Sequence, residues 1–450
     1  MKKVSKLLFI FILILLVAGI SIVPVSAISY TNDVKTLTDS ILLVNMDTDQ
    51  VVFEKDADSI RYPASTTKIM SYIIVIENIP DYENTKIEIK EDVLSILDGT
   101  GSSTANLENH IGEKMTVIDL LYCMMVPSGN DAAVVLADYI GNGDINKFVD
   151  LMNQKAKELG CENTHFKNPD GLHDKDHYTT ARDLYLITKY ALTKPMFSEI
   201  TNTTTYFCED DDYPLITTNY MIDEYRGGEY YYRYARGIKT GTTDEAGRCL
   251  VTTATADGYS YMAVLLHYPY SEDSDDNTYG TMLDAADLFR WALVDLELGE
   301  LKTSSTPICE IELRLAWNKN NLLLTPQENI TAIVPKGYEE PWIIYETEVP
   351  ESIEAPVKQG DVIGKVSVYY KDDTMTEKQF LSTVNLVASE SVERSGFLYI
   401  LDVIKNIVMS IWFIIAVIII VILFIIYLIL TSIYKKKHGK KKKVKRYRNL

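Results

Sequence analysis

Two long apolar runs bracket the chain, and between them the spacing of hydrophobic positions changes character several times. The first, MKKVSKLLFIFILILLVAGISIVPVSA, opens on Lys2, Lys3 and Lys6 and ends on small residues, Val25-Ser26-Ala27, at cleavage spacing. It is predicted to be a secretory signal peptide over 1–27, with an N-terminal anchor as the other reading. The second, IVMSIWFIIAVIIIVILFIIYLILTSIY from Ile407 to Tyr434, carries no charge. At roughly 1.5 Å per residue a helix of that length exceeds the ~30 Å hydrocarbon core of a bilayer, so one membrane span is expected over 405–434.

The interior runs are shorter. SILLVNM and QVVFEK alternate around Asp47-Thr48-Asp49, and GRCLVTTAT and YSYMAVLLHY flank Ala256-Asp257-Gly258; both pairs predict β-hairpins. Between them lie helical patterns. One starts near Ser65, after YPA. A second, MTVIDLLYCMMV, has Thr116 and Asp119 placed as a capping box and stops at Pro127; others run from Asp131 and over 145–160. Another helix is expected over 281–294. Helices in the middle with hairpins before and after predict an antiparallel sheet flanked by helices, an α+β fold. After about Leu301, short alternating segments such as EIELRLAW and DVIGKVSVYY predict a small all-β domain over 301–392. CEDDDYP (208–214) and DEYRGGEYYYRYAR (223–236) read as surface insertions.

Charge fixes a topology. The tail over 435–450, KKKHGKKKKVKRYRNL, holds eight lysines and two arginines directly after the span, which places it in the cytoplasm and the portion between the two apolar runs outside. The net charge is −19; the tail contributes +10 and the signal peptide +3, so the exported portion carries about −32. That excludes nucleic acid as a partner. The five cysteines, Cys123, Cys161, Cys208, Cys249 and Cys309, are scattered, with no C-x-x-C. They read as mostly free, partly buried thiols, one bridge being conceivable, and not as a metal site or disulfide framework.

Three polar clusters interrupt this pattern. In YPASTTKIM, Ser65 and Lys68 sit at i and i+3, on one face of a helix start. A serine needs a base, and a lysine becomes one only when burial and the positive end of a helix dipole disfavour its ammonium. In VPSGNDAA, Ser128 and Asn130 stand at the break between two helices. In GIKTGTTDEAG, Lys239, Thr240, Gly241 and Thr242 stand just before a strand, where a peptide could add and its carboxylate be gripped. Each alone reads as a helix start, a capped turn or a linker. Together S-x-x-K, S-x-N and K-T-G, in that order, are the set of penicillin-binding proteins and class A β-lactamases.

The flanking residues PASTTKIM, GEKMTVIDLLYCMMVPSGNDAAVVLA, NPDGLHDKDHYTTARDL and GIKTGTTDEAGRCLV resemble the low-molecular-mass penicillin-binding proteins of the serine D-alanyl-D-alanine carboxypeptidase family. The likeness implies a β-lactamase/transpeptidase-like catalytic domain over 28–300. More loosely, APVKQGDVIGKVSV resembles that family's C-terminal β domain. It further implies Ser65 as acylated nucleophile, Lys68 as its base, Ser128 as proton shuttle and Asn130 as holder of the substrate amide. Lys239 would tune Ser128 and, with Thr240, attract the terminal carboxylate; the N–H groups of Ser65 and Thr242 would form the oxyanion hole. The implied substrate is a peptidoglycan stem peptide ending in D-Ala-D-Ala, with β-lactams as inhibitors and no cofactor or metal. His173 and His177, although at i and i+4, fit the family's pattern and are taken as structural.

Two features depart from the family. Its usual amphipathic anchor is replaced by a full span, and the tyrosine-rich insertion before Lys239 bears on substrate preference. The alternatives are a transpeptidase or endopeptidase, a β-lactamase and a catalytically silent wall-binding sensor. A β-lactamase needs a deacylating glutamate, usually in E-x-x-L-N, and no such pattern stands between Asn130 and Lys239. Intact motifs argue against the sensor.

Overall fold

The computed structural model describes residues 30, 34–208, 213–270 and 278–438. The expected signal peptide and nearly all of the basic tail lie outside them. The chain divides into two compact units, one of residues 1–301 with 331–344 and 368–382, the other of 302–330, 345–367 and 383–450.

The first unit is built on a five-stranded antiparallel sheet. Its strands are β1 (Ser40–Asn45), β2 (Gln50–Lys55), β3 (Ala235–Thr243), β4 (Gly247–Ala256) and β5 (Tyr259–Tyr268), in the order β2-β1-β5-β4-β3. Both expected hairpins are present. In the first, the Asn45 side chain accepts from the N–H groups of Asp47 (3.2 Å) and Thr48 (3.0 Å), closing the turn. In the second, Asp257 and Gly258 both take positive φ, the Asp-Gly signature of a tight hairpin. The K-T-G residues are a correction to the sequence reading. They lie inside β3, not before a strand, because β3 is rich in glycine and threonine and its alternation is faint. As the last strand in the order, β3 has one edge without a strand partner among the described residues.

Helices α1 (Lys68–Asn78), α2 (Val117–Met125), α3 (Asn130–Gly141), α4 (Ile145–Glu158), α5 (Ala181–Ala191) and α6 (Gly280–Asp295) surround the sheet. In α1 the residues from Lys68 to Ile76 are all buried, as expected of a helix apolar on every side. Half of the capping box forms at α2: Thr116 Oγ1 accepts from the Asp119 N–H (3.2 Å), while Asp119 Oδ2 accepts from the Thr116 hydroxyl (2.5 Å) instead of from its backbone N–H. Apolar faces of α1–α5 share one core cluster with the buried faces of β1, β4 and β5.

The second unit carries short strands in the all-β texture read from the sequence, among them Cys309–Arg314 and Asn321–Pro326. They belong to a six-stranded sheet. After it come α7 (Gly396–Met409) and α8 (Ile411–His438), parted at Ser410, whose backbone is extended. The apolar run read as one element is therefore two helices. Of these, Ile411–Lys437 is long and apolar enough to cross a membrane.

Candidate active site

Ser65 sits in a 3-10 turn, Ala64–Thr67, that runs directly into α1. Pro63 leads into the turn and Ala64 holds φ +46°. That strained corner is clamped from two sides by glycines. A Cβ on Gly171 would fall 1.9 Å from the Ala64 carbonyl oxygen, and one on Gly241 would fall 2.9 Å from the Ser65 nitrogen. The close approach expected at the K-T-G glycine is thus an approach to the backbone of Ser65 itself.

Lys68, one turn on, is fully buried. Its Nζ donates to Ser65 Oγ (2.9 Å), to Asn130 Oδ1 (2.5 Å) and to the Asp170 carbonyl (2.8 Å). Burial opposes the charged form and brings its pKa down to about 8, against the pull of Asp170 and Asp131 in the other direction. The loop that supplies the Asp170 carbonyl is self-braced: Asn168 Oδ1 accepts from the Gly171 N–H (2.7 Å), and Ser71 Oγ on α1 donates to the Pro169 carbonyl (2.5 Å).

Ser128 and Asn130 occupy the α2–α3 break. Ser128 has φ +67° and is buried, and its hydroxyl has no hydrogen-bond partner among the described residues. Between them Gly129 is required, since a Cβ there would stand 2.6 Å from Asp131 Oδ1 and 2.7 Å from the Cys123 carbonyl oxygen. Asp131 locks the turn by accepting from the N–H groups of Ala105, Leu107 and Ala132.

On β3, Lys239 is buried and donates to the Thr240 carbonyl (3.1 Å). Burial, and then the like charge of Lys68, push its pKa well below the usual lysine range. Thr240 is half-buried and Thr242 exposed.

The structure therefore joins Ser65, Lys68 and Asn130 by direct hydrogen bonds and sets Gly241 against the Ser65 backbone. Lys239 stands close enough for the two cations to oppose each other. Ser128 contributes no hydrogen bond to this group. Three contributors carry no sequence motif: the Asp170 carbonyl, Gly171, and Thr218, whose hydroxyl is 2.5 Å from that of Thr240 and whose N–H donates to the Val126 carbonyl at the end of α2. Only NPDGLH, as part of the family-like stretch, pointed towards the first two. His177 is buried; its Nε2 lies 2.8 Å from Thr67 Oγ1 while Nδ1 accepts from the Lys167 N–H, and desolvation lowers its pKa to about 3. His173 and His177 lie in a loop and share no helix face.

Comparison with known proteins settles the class. The D-alanyl-D-alanine carboxypeptidase family profile matches residues 28–269, more than half of the chain, and that of the penicillin-binding protein 5 C-terminal domain matches 316–394. The chain belongs to the D-alanyl-D-alanine carboxypeptidase family. It is 30% identical over 363 residues to the D-alanyl-D-alanine carboxypeptidase DacF of Bacillus subtilis, covering 80% of this chain and 87% of that one. Among solved structures it is similar to the D-alanyl-D-alanine carboxypeptidase DacD of Francisella tularensis (27% identity, TM-score 0.62, 82% of this chain and 97% of that one). It also resembles the Streptomyces K15 DD-transpeptidase (28% identity, TM-score 0.52, 58% and 98%). Members of the family act on peptidoglycan through a serine acyl-enzyme and are inhibited by β-lactams. The mixed α/β transpeptidase-like fold with an all-β C-terminal domain is the architecture expected from the sequence.

Proposed function

We propose that this chain releases the terminal D-alanine from peptidoglycan stem peptides through an ester on Ser65. The observation that carries the reading is the bond between Ser65 Oγ and a lysine whose ammonium is disfavoured by burial. Neutral Lys68 takes the Ser65 proton as Oγ attacks the carbonyl between the two D-alanines. The N–H groups of Ser65 and Thr242 hold the oxyanion; one such donor is typically worth about 10²–10³ in rate. Ser128, with an uncommitted hydroxyl, passes a proton to the departing amine. Because Asn130 Oδ1 is engaged by Lys68, its Nδ2 is the group left for the substrate amide. The open edge of β3 receives the peptide as an added strand, with Lys239 and Thr240 at its carboxylate. Water then hydrolyses the ester.

The likeness to a DD-transpeptidase favours one second reading, transfer of the acyl group to an amine. Product analysis of a diacyl-Lys-D-Ala-D-Ala peptide with and without an amine acceptor separates the two. Ser65→Ala should abolish both D-alanine release and labelling by fluorescent penicillin; labelling at the wild-type level ends the assignment. We further place α8 in the membrane, the catalytic domain outside and the basic tail in the cytoplasm, on the strength of the apolar helix and the lysines that follow it.

A further inference from the structure

Two of the five cysteines face each other. Cys123 lies on α2 and Cys208 follows the short strand Thr205–Tyr206; both are buried, and their Sγ atoms are 3.6 Å apart. Cys161 and Cys249 instead turn their thiols to the carbonyls of Asp183 and Tyr62. The pairing is held by its surroundings. Thr205–Tyr206 pairs antiparallel with Leu215–Ile216, Tyr206 stacks on Tyr122 with ring centroids 3.7 Å apart, and the Tyr206 hydroxyl donates to Asp119 Oδ1 (2.6 Å). The strand pair is thus tied to α2, which carries Cys123, while Cys208 follows its first strand. A disulfide needs the sulfurs near 2.05 Å, a closure of roughly 1.5 Å from their present separation.

We propose that Cys123 and Cys208 are a covalent modification site, a disulfide that staples the paired strands Thr205–Tyr206 and Leu215–Ile216 to α2 beside the Ser128–Asn130 turn. Two backbone bonds carry the bracing into the active site. The Cys123 carbonyl accepts from the Gly129 N–H (3.0 Å), and Thr218, just beyond Leu215–Ile216, donates its N–H to the Val126 carbonyl (3.3 Å) while touching Thr240. The proposal rests on the outward placement argued above, since oxidising compartments are where such bonds persist.

The oxidant is a low-molecular-mass disulfide. Cys208, 6% exposed against 1% for Cys123, reacts first. Its thiolate attacks one sulfur of oxidised glutathione and expels a glutathione thiolate; the Cys123 thiolate then attacks the Cys208 sulfur and expels the second. Two S–H bonds are lost, one S–S bond forms, the two protons pass to the glutathione thiolates, and two electrons reduce the oxidant to two thiols. The hydrogen bond to Cys208, and then burial, raise the Cys123 pKa, so closure is expected to be slow in the folded chain.

The test uses the full chain purified in detergent, incubated with oxidised glutathione or with dithiothreitol. The oxidised sample should lose about 2 Da, give a non-reduced peptide linking Cys123 to Cys208, and melt about 5–10 °C higher, reversibly with dithiothreitol. Cys208→Ser should show neither the linked peptide nor the shift. Intact cells quenched with an alkylating reagent should yield the same linked peptide. Five free thiols after oxidation, glutathione adducts without cross-linking, or a reduced pair in the quenched cells would each overturn the proposal. Penicillin labelling of Ser65 needs no thiol, so it reports separately on the catalytic reading.

Discussion

Replacing Gly171 with alanine tests how tightly the nucleophile's corner is held. The new Cβ would lie 1.9 Å from the Ala64 oxygen, 2.4 Å from its carbonyl carbon and 2.9 Å from the Ser65 nitrogen, where real Cβ atoms essentially never come within 3.0 Å. Relief requires the Ala64–Ser65 backbone to retreat by roughly 1 Å, and misplacing a reacting group by about that much can cost on the order of 10² in rate. Stability suffers from two sources. Gly171 holds φ +89°, which costs an L-residue about 1–2 kcal/mol, and the overpacking adds about 1–3 kcal/mol. For a domain of this size each kcal/mol lowers Tm by roughly 2–4 °C. Gly258→Ala is the control: its φ is +85°, but nothing lies within 4 Å of the added Cβ, so only the backbone cost applies. The assay is the rate of acylation by fluorescent penicillin, measured well below both melting temperatures. Gly171→Ala should acylate about 100-fold more slowly, and Gly258→Ala at the wild-type rate. A Gly171→Ala rate within about threefold of wild type would refute the idea that the Asp170–Gly171 loop sets the position of Ser65.

Three other expectations concern single groups. With the Lys68 pKa lowered to about 8, its neutral form is scarce at pH 6 and dominant above pH 8, so acylation should rise about tenfold per pH unit below 8 and then level; a flat profile from pH 6 to 9 would rule Lys68 out as the base. Ser128→Ala removes a buried hydroxyl that has no partner among the described residues, so Tm should hold or rise by a few degrees while D-alanine release falls about 10²–10⁴-fold; a clear loss of Tm would show that the hydroxyl is structural. Thr218→Val deletes the hydroxyl beside Thr240, worth about 1 kcal/mol, and should raise KM for the peptide about fivefold at unchanged kcat, whereas a change confined to kcat would contradict a binding role.

The hairpins and helices were legible because each carries a local signal: alternation around Asp257-Gly258, the Thr116–Asp119 box, the break at Pro127. The strand containing Lys239 was not, because its glycines and threonines blur the period-two pattern and its identity comes from pairing with β4. Within the site, Ser65, Lys68 and Asn130 were found as side chains in motifs. The Asp170 carbonyl could not be found that way, since any residue offers a carbonyl and only the fold aims it. Thr218 was missed for a related reason. It is a lone threonine whose meaning comes entirely from the strand beside it. The division of the apolar run at Ser410 had no signal either, there being no proline or glycine at the break.

The three acceptors around the Lys68 amine have a directional consequence. Two of them, the Asn130 amide oxygen and the Asp170 peptide oxygen, possess no hydrogen to give. When the amine becomes neutral, pointing its vacated orbital at either would set electron pairs against each other. Only the alcohol can reverse the sense of its bond, so the lone pair turns to Ser65 by elimination, and the enzyme aims its base without any group having to move.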